Sequence, residues 1–260
     1  MVPIVLTLLQ NLLSIWPRKE EVSFTPFSEG FSSTPPLPMK KVIPEYFKKC
    51  PKEFEGGPNR YTYKTCPAFL DAMTVGYVLR CPCDVYIKTY ESHFDYEVPA
   101  DVPNIVVTSH SSNQTQAFQE GSILDEDKFY PYILKINPGF FLKNSNRVGW
   151  QILPFYYDKE NRKNFEAAYG YFDNLLLERY GTCPINLFVK RREGSDTFII
   201  KKGTPICTIV PYVYTDFHSA INKPDPERYS DIMNLGLQAK NRGQFFANSI
   251  KNHRVAKRYL

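Results

Sequence analysis

Apolar positions recur along this chain with two rhythms. From Met1 to Trp16, Val5, Leu8, Leu9, Leu12, Leu13 and Trp16 fall at helical spacing and Pro17 ends the run, which predicts a short helix with one greasy side. That side, with Leu8, Leu12 and Trp16 at its centre, docks either on the chain's own domain or on another subunit. The stretch is too short to span a bilayer and lacks a basic leading segment and a small-residue cleavage site, so it reads as neither anchor nor signal peptide. Residues 17–39 carry Ser, Thr and Pro with scattered Phe and predict an extended arm lying on a surface. A basic and aromatic element follows, closed by Pro51, with a turn or two of helix starting at Pro44. Its Lys40 and Lys41 are candidate partner or phosphate contacts; a solvated face is the plainer reading.

Over residues 61–98 the rhythm becomes alternation rich in Tyr, Val, Ile and Thr, with strands before and after Pro82, at 76–81 and 84–90. A polar loop at 108–116 leads to a strand at 132–136, the turn Asn137-Pro138-Gly139, and an apolar run from Trp150 to Tyr157. Strands at 185–190 and 197–200 flank a predicted hairpin at Gly194, and Gly203-Thr204-Pro205 turns into a last strand at 206–214. Every connection is short and no helix intervenes between strands, so the sheets are expected to be antiparallel or mixed. From Pro226 helical spacing returns, broken at Gly243. The resulting organisation is a helix and arm over residues 1–40, a β-rich core over 41–215, and a basic helical tail over 216–260.

Composition sharpens this picture. Eighteen Tyr and 19 Phe make the chain 15% aromatic within a 43% hydrophobic total, a load that suits pleated surfaces and subunit interfaces. Twenty-one Pro against 13 Gly argue for many chain reversals and against a helical bundle. A net charge of +5 is too mild for a histone-like or ribosomal protein. The positive charge gathers at the end, where residues 240–260 hold six Lys or Arg, among them Arg254, Lys257 and Arg258, and no acid, with Phe245 and Phe246 interleaved. Such a tail faces solvent or an acidic partner, or contacts nucleic acid weakly and in a salt-sensitive way. Six cysteines without a disulfide-scaffold spacing read as reduced thiols, and Cys81-Pro82-Cys83 lacks the histidine spacing of a zinc site.

The common catalytic signatures are missing: no G-x-S-x-G, P-loop, G-x-G-x-x-G or H-E-x-x-H. The second half instead carries an ordered set: Pro138-Gly139, Gly170-Tyr171-Phe172-Asp173, Tyr180-Gly181, then Phe198-Ile199-Ile200-Lys201-Lys202-Gly203-Thr204-Pro205-Ile206. That order resembles the dUTPase and dCTP deaminase superfamily over roughly residues 130–214. The resemblance implies a β-clip core, with Gly170 in a tight hairpin turn, Asp173 as the acid that activates water, Tyr180 as the ring facing deoxyribose, and magnesium on the phosphates. The family's Ser-rich phosphate-binding element has no counterpart here, so assembly on this core, β-clip or jelly-roll-like, is the expected use, with nucleotide hydrolysis or binding as the alternative.

The first half carries a second motif pair: Pro38-Met39-Lys40-Lys41-Val42-Ile43-Pro44-Glu45-Tyr46-Phe47-Lys48-Lys49, then Pro67-Ala68-Phe69-Leu70-Asp71-Ala72-Met73-Thr74-Val75-Gly76-Tyr77. Together with the Lys-Gly-x-Pro strand entry, it resembles a marine tailed-phage (cyanophage-like) protein family without an assigned activity. The resemblance implies a viral protein made in the bacterial host cytoplasm. The expectation is a virion component whose partners are copies of itself and other virion proteins, with no cofactor and no membrane; an early protein binding a host factor is a further alternative.

Overall fold

The computed structural model describes residues 21–51, 62–103, 106–109, 127–144, 148–173, 182–213 and, between 225 and 234, all but 228, 231 and 232. The fold is mainly β. Among the described residues, strands β1 (Val22–Pro26) and β8 (Phe140–Asn144) pair with each other, and three larger sheets complete the molecule. A five-stranded sheet runs in the order β11 (Gly170–Phe172), β9 (Val148–Pro154), β14 (Pro205–Val213), β3 (Tyr77–Arg80) and β2 (Leu37–Pro38). A four-stranded sheet follows the order β10 (Phe165–Ala167), β12 (Ile185–Lys190), β7 (Phe129–Ile136) and β6 (Val107–Ser109). A three-stranded sheet joins β13 (Asp196–Ile200), β4 (Val85–Thr89) and β5 (Phe94–Glu97). Every strand pairing among the described residues is antiparallel.

Alternation in the strands explains how the sheets close on one core. In β12, Ile185, Leu187 and Val189 are fully buried while the residues between them are half-exposed, and β4 buries Val85, Ile87 and Thr89 in the same way. The apolar ones among these side chains meet Leu79, Trp150, Cys207 and Ile209 of the five-stranded sheet and Leu142 of β8 in one cluster. The five-stranded sheet is covered on its other face too, where Met39, Val78 and Phe155 form a smaller cluster and the Thr208 hydroxyl lies 3.9 Å from the Met39 sulfur. Covered on both faces, β14 buries four consecutive residues, Ile206 to Ile209, and loses the alternation that an exposed face would impose.

The predicted arm is integrated into the fold from residue 22 onward. Phe24 of β1 packs its ring 4.9 Å from Tyr77 and 6.0 Å from Trp150. Two short helices, α1 (Glu45–Lys49) and α2 (Pro67–Thr74), extend the outer layer. The first begins after Pro44, as the sequence predicts. The second falls in the region read as alternating strand: Pro67 occupies its first turn, where a missing N–H is harmless, and Met73 is completely buried beneath it. Phe47, Tyr63 and Phe69 stack beside these helices at centroid distances of 5.0–5.8 Å.

Two predicted turns behave differently from expectation. Gly194 has a positive φ of 71°, but β12 and β13 on either side of it do not pair; β12 joins β7 and β10, and β13 joins β4. The connection is a crossover between sheets: Arg191 is tied back to β7 of the four-stranded sheet, Nε donating to the Phe129 carbonyl at 3.0 Å. Arg192 instead leans toward β13, its guanidinium 4.9 Å from the Phe198 ring centroid. Gly170 is likewise no turn residue: it opens β11 opposite Ile152, outside the positive-φ set. A Cβ added there would make only an ordinary 3.5 Å contact with Ile152.

Candidate interaction surface

The most distinctive exposed chemistry lies at the end of the five-stranded sheet. Among the described residues β11 has a strand neighbour on one side only. Its register, Tyr171 opposite Gln151 and Phe172 opposite Trp150, sends Phe172 toward the core and Tyr171 to the outside. Tyr169, two residues earlier, emerges on the same side; the two are 56% and 57% exposed. Their rings meet edge to face at 5.4 Å, and Tyr212 of β14 extends the row with its ring 5.8 Å from Tyr171.

Polar atoms bind this row into one unit. The Tyr169 and Tyr171 hydroxyls are 2.5 Å apart, and the Gln151 amide donates to Tyr171 at 3.3 Å and also to Tyr169. The hydrogen bond with Tyr169, and then partial loss of water, push Tyr171 above the ordinary tyrosine range, which keeps its hydroxyl protonated. The Tyr169 and Tyr171 hydroxyls are satisfied by each other and by Gln151 while their rings remain open to solvent. Rings and amides held in place without charge lose little side-chain entropy on contact and need no ion desolvation, which are the properties of a protein-binding surface. A second exposed apolar pair, Tyr86 and Ile199, sits cross-strand on the outer face of the three-stranded sheet.

The residues singled out in the sequence are distributed unevenly around this surface. Asp173 follows β11 directly and is half-buried, so it borders the tyrosine row. Lys40 and Lys41 are exposed on a 3-10 turn after β2, at the opposite end of the same sheet. Tyr180, Leu8, Leu12, Trp16, Phe245, Phe246, Arg254, Lys257 and Arg258 lie outside the described residues. Sequence reading missed Tyr169, Tyr212 and Gln151; the signal for the first was its spacing of two from Tyr171, which places both on one face of an extended chain.

Two open grooves of ≈ 540 and ≈ 530 Å³ complete the candidate surfaces. The first is bordered by Phe31, Cys83, Asp84, Asp101 and Lys202, the second by His93, Asp95, Glu97, Ser109 and Tyr132 between the strand edges of β5 and β6. Among the described residues no three His, Cys, Asp or Glu side chains converge as a metal site, and no helix is long and apolar enough to cross a membrane. All six cysteines are free thiols. Comparison with family models, curated proteins and solved structures gives no significant match, so the functional reading rests on the residues themselves.

Proposed function

We propose that this protein works by assembly, as a phage virion component that joins copies of itself or neighbouring virion proteins through the β11 end of its five-stranded sheet. The observation that carries the reading is the row Tyr169, Tyr171 and Tyr212, pre-ordered beside a strand edge with Tyr169 and Tyr171 more than half exposed. A strand with one neighbour offers main-chain groups for pairing, and a tyrosine row beside it offers contact area. The resemblance of residues 36–214 to a tailed-phage family supports the virion setting, and the basic tail adds at most weak contact with nucleic acid. The decisive experiment is mass spectrometry of stringently washed virus particles, counting this chain against the major capsid protein. A symmetric copy number is expected; expression in infected cells with absence from particles would overturn the proposal and favour a host-factor role.

A second reading, a dUTPase-type hydrolase or nucleotide-binding protein on a β-clip core, has its own support. The Lys202-Gly203 turn, with Gly203 at a φ of 85°, enters β14 as the resembling family's Lys-Gly turn enters its strand, and Asp173 stands at the end of β11. This reading expects magnesium-dependent pyrophosphate release from a deoxynucleoside triphosphate, abolished by Asp173→Asn. Absence of both turnover and a thermal shift with the common nucleotides removes it.

A further inference from the structure

The loop joining β3 to β4 places two thiols one residue apart at the wall of a groove. Cys81-Pro82-Cys83-Asp84 is held by the turn that enters β14: the Cys81 N–H donates to the Thr204 carbonyl at 2.8 Å, and the Gly203 N–H donates to the Cys81 carbonyl at 2.8 Å. The Lys202 N–H donates to Asp84 Oδ1 at 2.7 Å. Cys81 is completely buried and its thiol donates to the Cys83 carbonyl at 3.1 Å. Cys83 is 7% exposed and borders the ≈ 540 Å³ groove together with Phe31, Asp84, Asp101 and Lys202.

The two sulfurs are chemically unequal. Hydrogen bonding between the thiols raises Cys81 well above the usual thiol range, with burial adding to the effect, while the same bond holds Cys83 below that range. Lys202 also favours the Cys83 thiolate, against opposition from burial, Asp84 and Asp101. Cys183 and Cys207 are fully enclosed, and burial pushes both upward. The pair therefore sets a cysteine at the groove wall, held below the usual thiol range, beside a buried thiol held above it, the arrangement of a reactive and a resolving cysteine.

We infer that Cys83 is a modification site for hydroperoxides, with Cys81 as its resolving partner. The Cys83 thiolate attacks one peroxide oxygen; an S–O bond forms, the O–O bond breaks, and the departing hydroxide or alkoxide takes up a proton, leaving a sulfenic acid. The Cys81 sulfur then attacks the sulfenic sulfur; an S–S bond forms, the S–O bond breaks, and the hydroxide leaves as water with the Cys81 proton. In sum, two thiols and one hydroperoxide become one disulfide, one water and one molecule of water or alcohol from the peroxide. The inference is independent of assembly and of nucleotide binding.

The test uses the full reduced chain, hydrogen peroxide in rising amounts, alkylation of the remaining thiols, and tryptic mapping of the peptide 81–88 that Arg80 and Lys88 delimit. The expected result is loss of two hydrogens within that peptide before Cys50 or Cys66 is modified. Cys81→Ser should leave a sulfenic acid on Cys83 that dimedone traps, Cys83→Ser should leave Cys81 fully alkylated, and Lys202→Gln should slow the reaction by about threefold or more. Circular dichroism confirms that each variant is folded; if Cys83→Ser is not, the wild-type time course and Lys202→Gln decide. Two alkyl groups on peptide 81–88 at peroxide levels that already oxidise Cys50 or Cys66 would overturn the assignment.

Discussion

Trp150 and Gln151 are neighbours on β9, yet they serve opposite regions of the protein. Trp150 is completely buried, with its indole N–H donating to Asn144 Oδ1 at 3.1 Å and with Phe24 and Tyr77 against its ring. Gln151, one pleat away, stands among Tyr169 and Tyr171 on the outside. Both regions are aromatic, and in both the polar atoms are satisfied. They differ in what the ring faces meet: on the inside other rings and aliphatic groups, on the outside water. Aromatic content alone therefore says little about role; the side of the sheet decides whether a ring contributes stability or recognition.

This contrast can be broken from the inside first. Trp150→Ala should destabilise the fold by about 3–5 kcal/mol in urea or thermal unfolding, because it opens a large cavity and removes the indole donor from Asn144 Oδ1. A loss near zero would mean that the central cluster is not what holds the sheets together. Gly76→Ala is next, at about 2–4 kcal/mol, since φ is 88° and the new Cβ would stand 2.3 Å from the Ile209 carbonyl oxygen in the sheet interior. At Gly194, where nothing lies within 4 Å of an added Cβ, alanine should cost only the backbone strain of about 1–2 kcal/mol. Equal losses at the two glycines would show that backbone conformation, and not close packing of β3 on β14, sets the cost.

A smaller effect sharpens the comparison through pH. Burial keeps Cys183 and Cys207 protonated in the folded chain, so their folded pKa values lie above the unfolded thiol value of about 8.5. Their contribution is fully present below that value; as pH rises past it, the unfolded chain sheds protons that the folded chain retains, and stability falls by up to about 1.4 kcal/mol per pH unit for each thiol. Urea unfolding from neutral to alkaline pH should show this decline, and Cys183→Ala should make it shallower. A flat alkaline limb would place these thiols in contact with water.

The outer row predicts the smallest change in stability. Tyr169→Ser combined with Tyr171→Ser should alter folding free energy by within about 0.5 kcal/mol, because both side chains are more than half exposed, while self-association measured by light scattering should be lost. Unchanged assembly in this variant would move the interface elsewhere, with the exposed Tyr86–Ile199 pair as the next candidate.

Strand existence was legible in the sequence where alternation stands out, as in β4 and β12, although β8, where Phe140 and Leu142 alternate with exposed residues, was not read as a strand. Residues 185–190 were read as a strand with the bounds the structure gives β12, because Ile185, Leu187 and Val189 alternate with partly exposed residues. Alternation failed at α2, where the apolar positions Phe69, Leu70 and Met73 suit a helical face as well as a pleated one within so short a run. Of the candidate surface, the sequence pointed to Asp173 and to the motif containing Tyr171. Tyr212 and Gln151 escaped notice because β9 and β14 bring them beside β11 from about 20 and 40 residues away along the chain, and no local pattern reports such proximity.

By itself the sequence determined that this chain would be mainly β and where half of its described strands lie, since a strand with one buried face carries a two-residue period that local residues obey. Only the tertiary structure decided which strands pair. The turns at Gly139 and Gly194 each leave the sheet they came from, because the preceding and following strands find better-matched partners elsewhere: β8 with β1, and β13 with β4. Strand pairing is a competition among distant segments for one shared core, and that competition also set Tyr169, Tyr171 and Tyr212 side by side on an open edge.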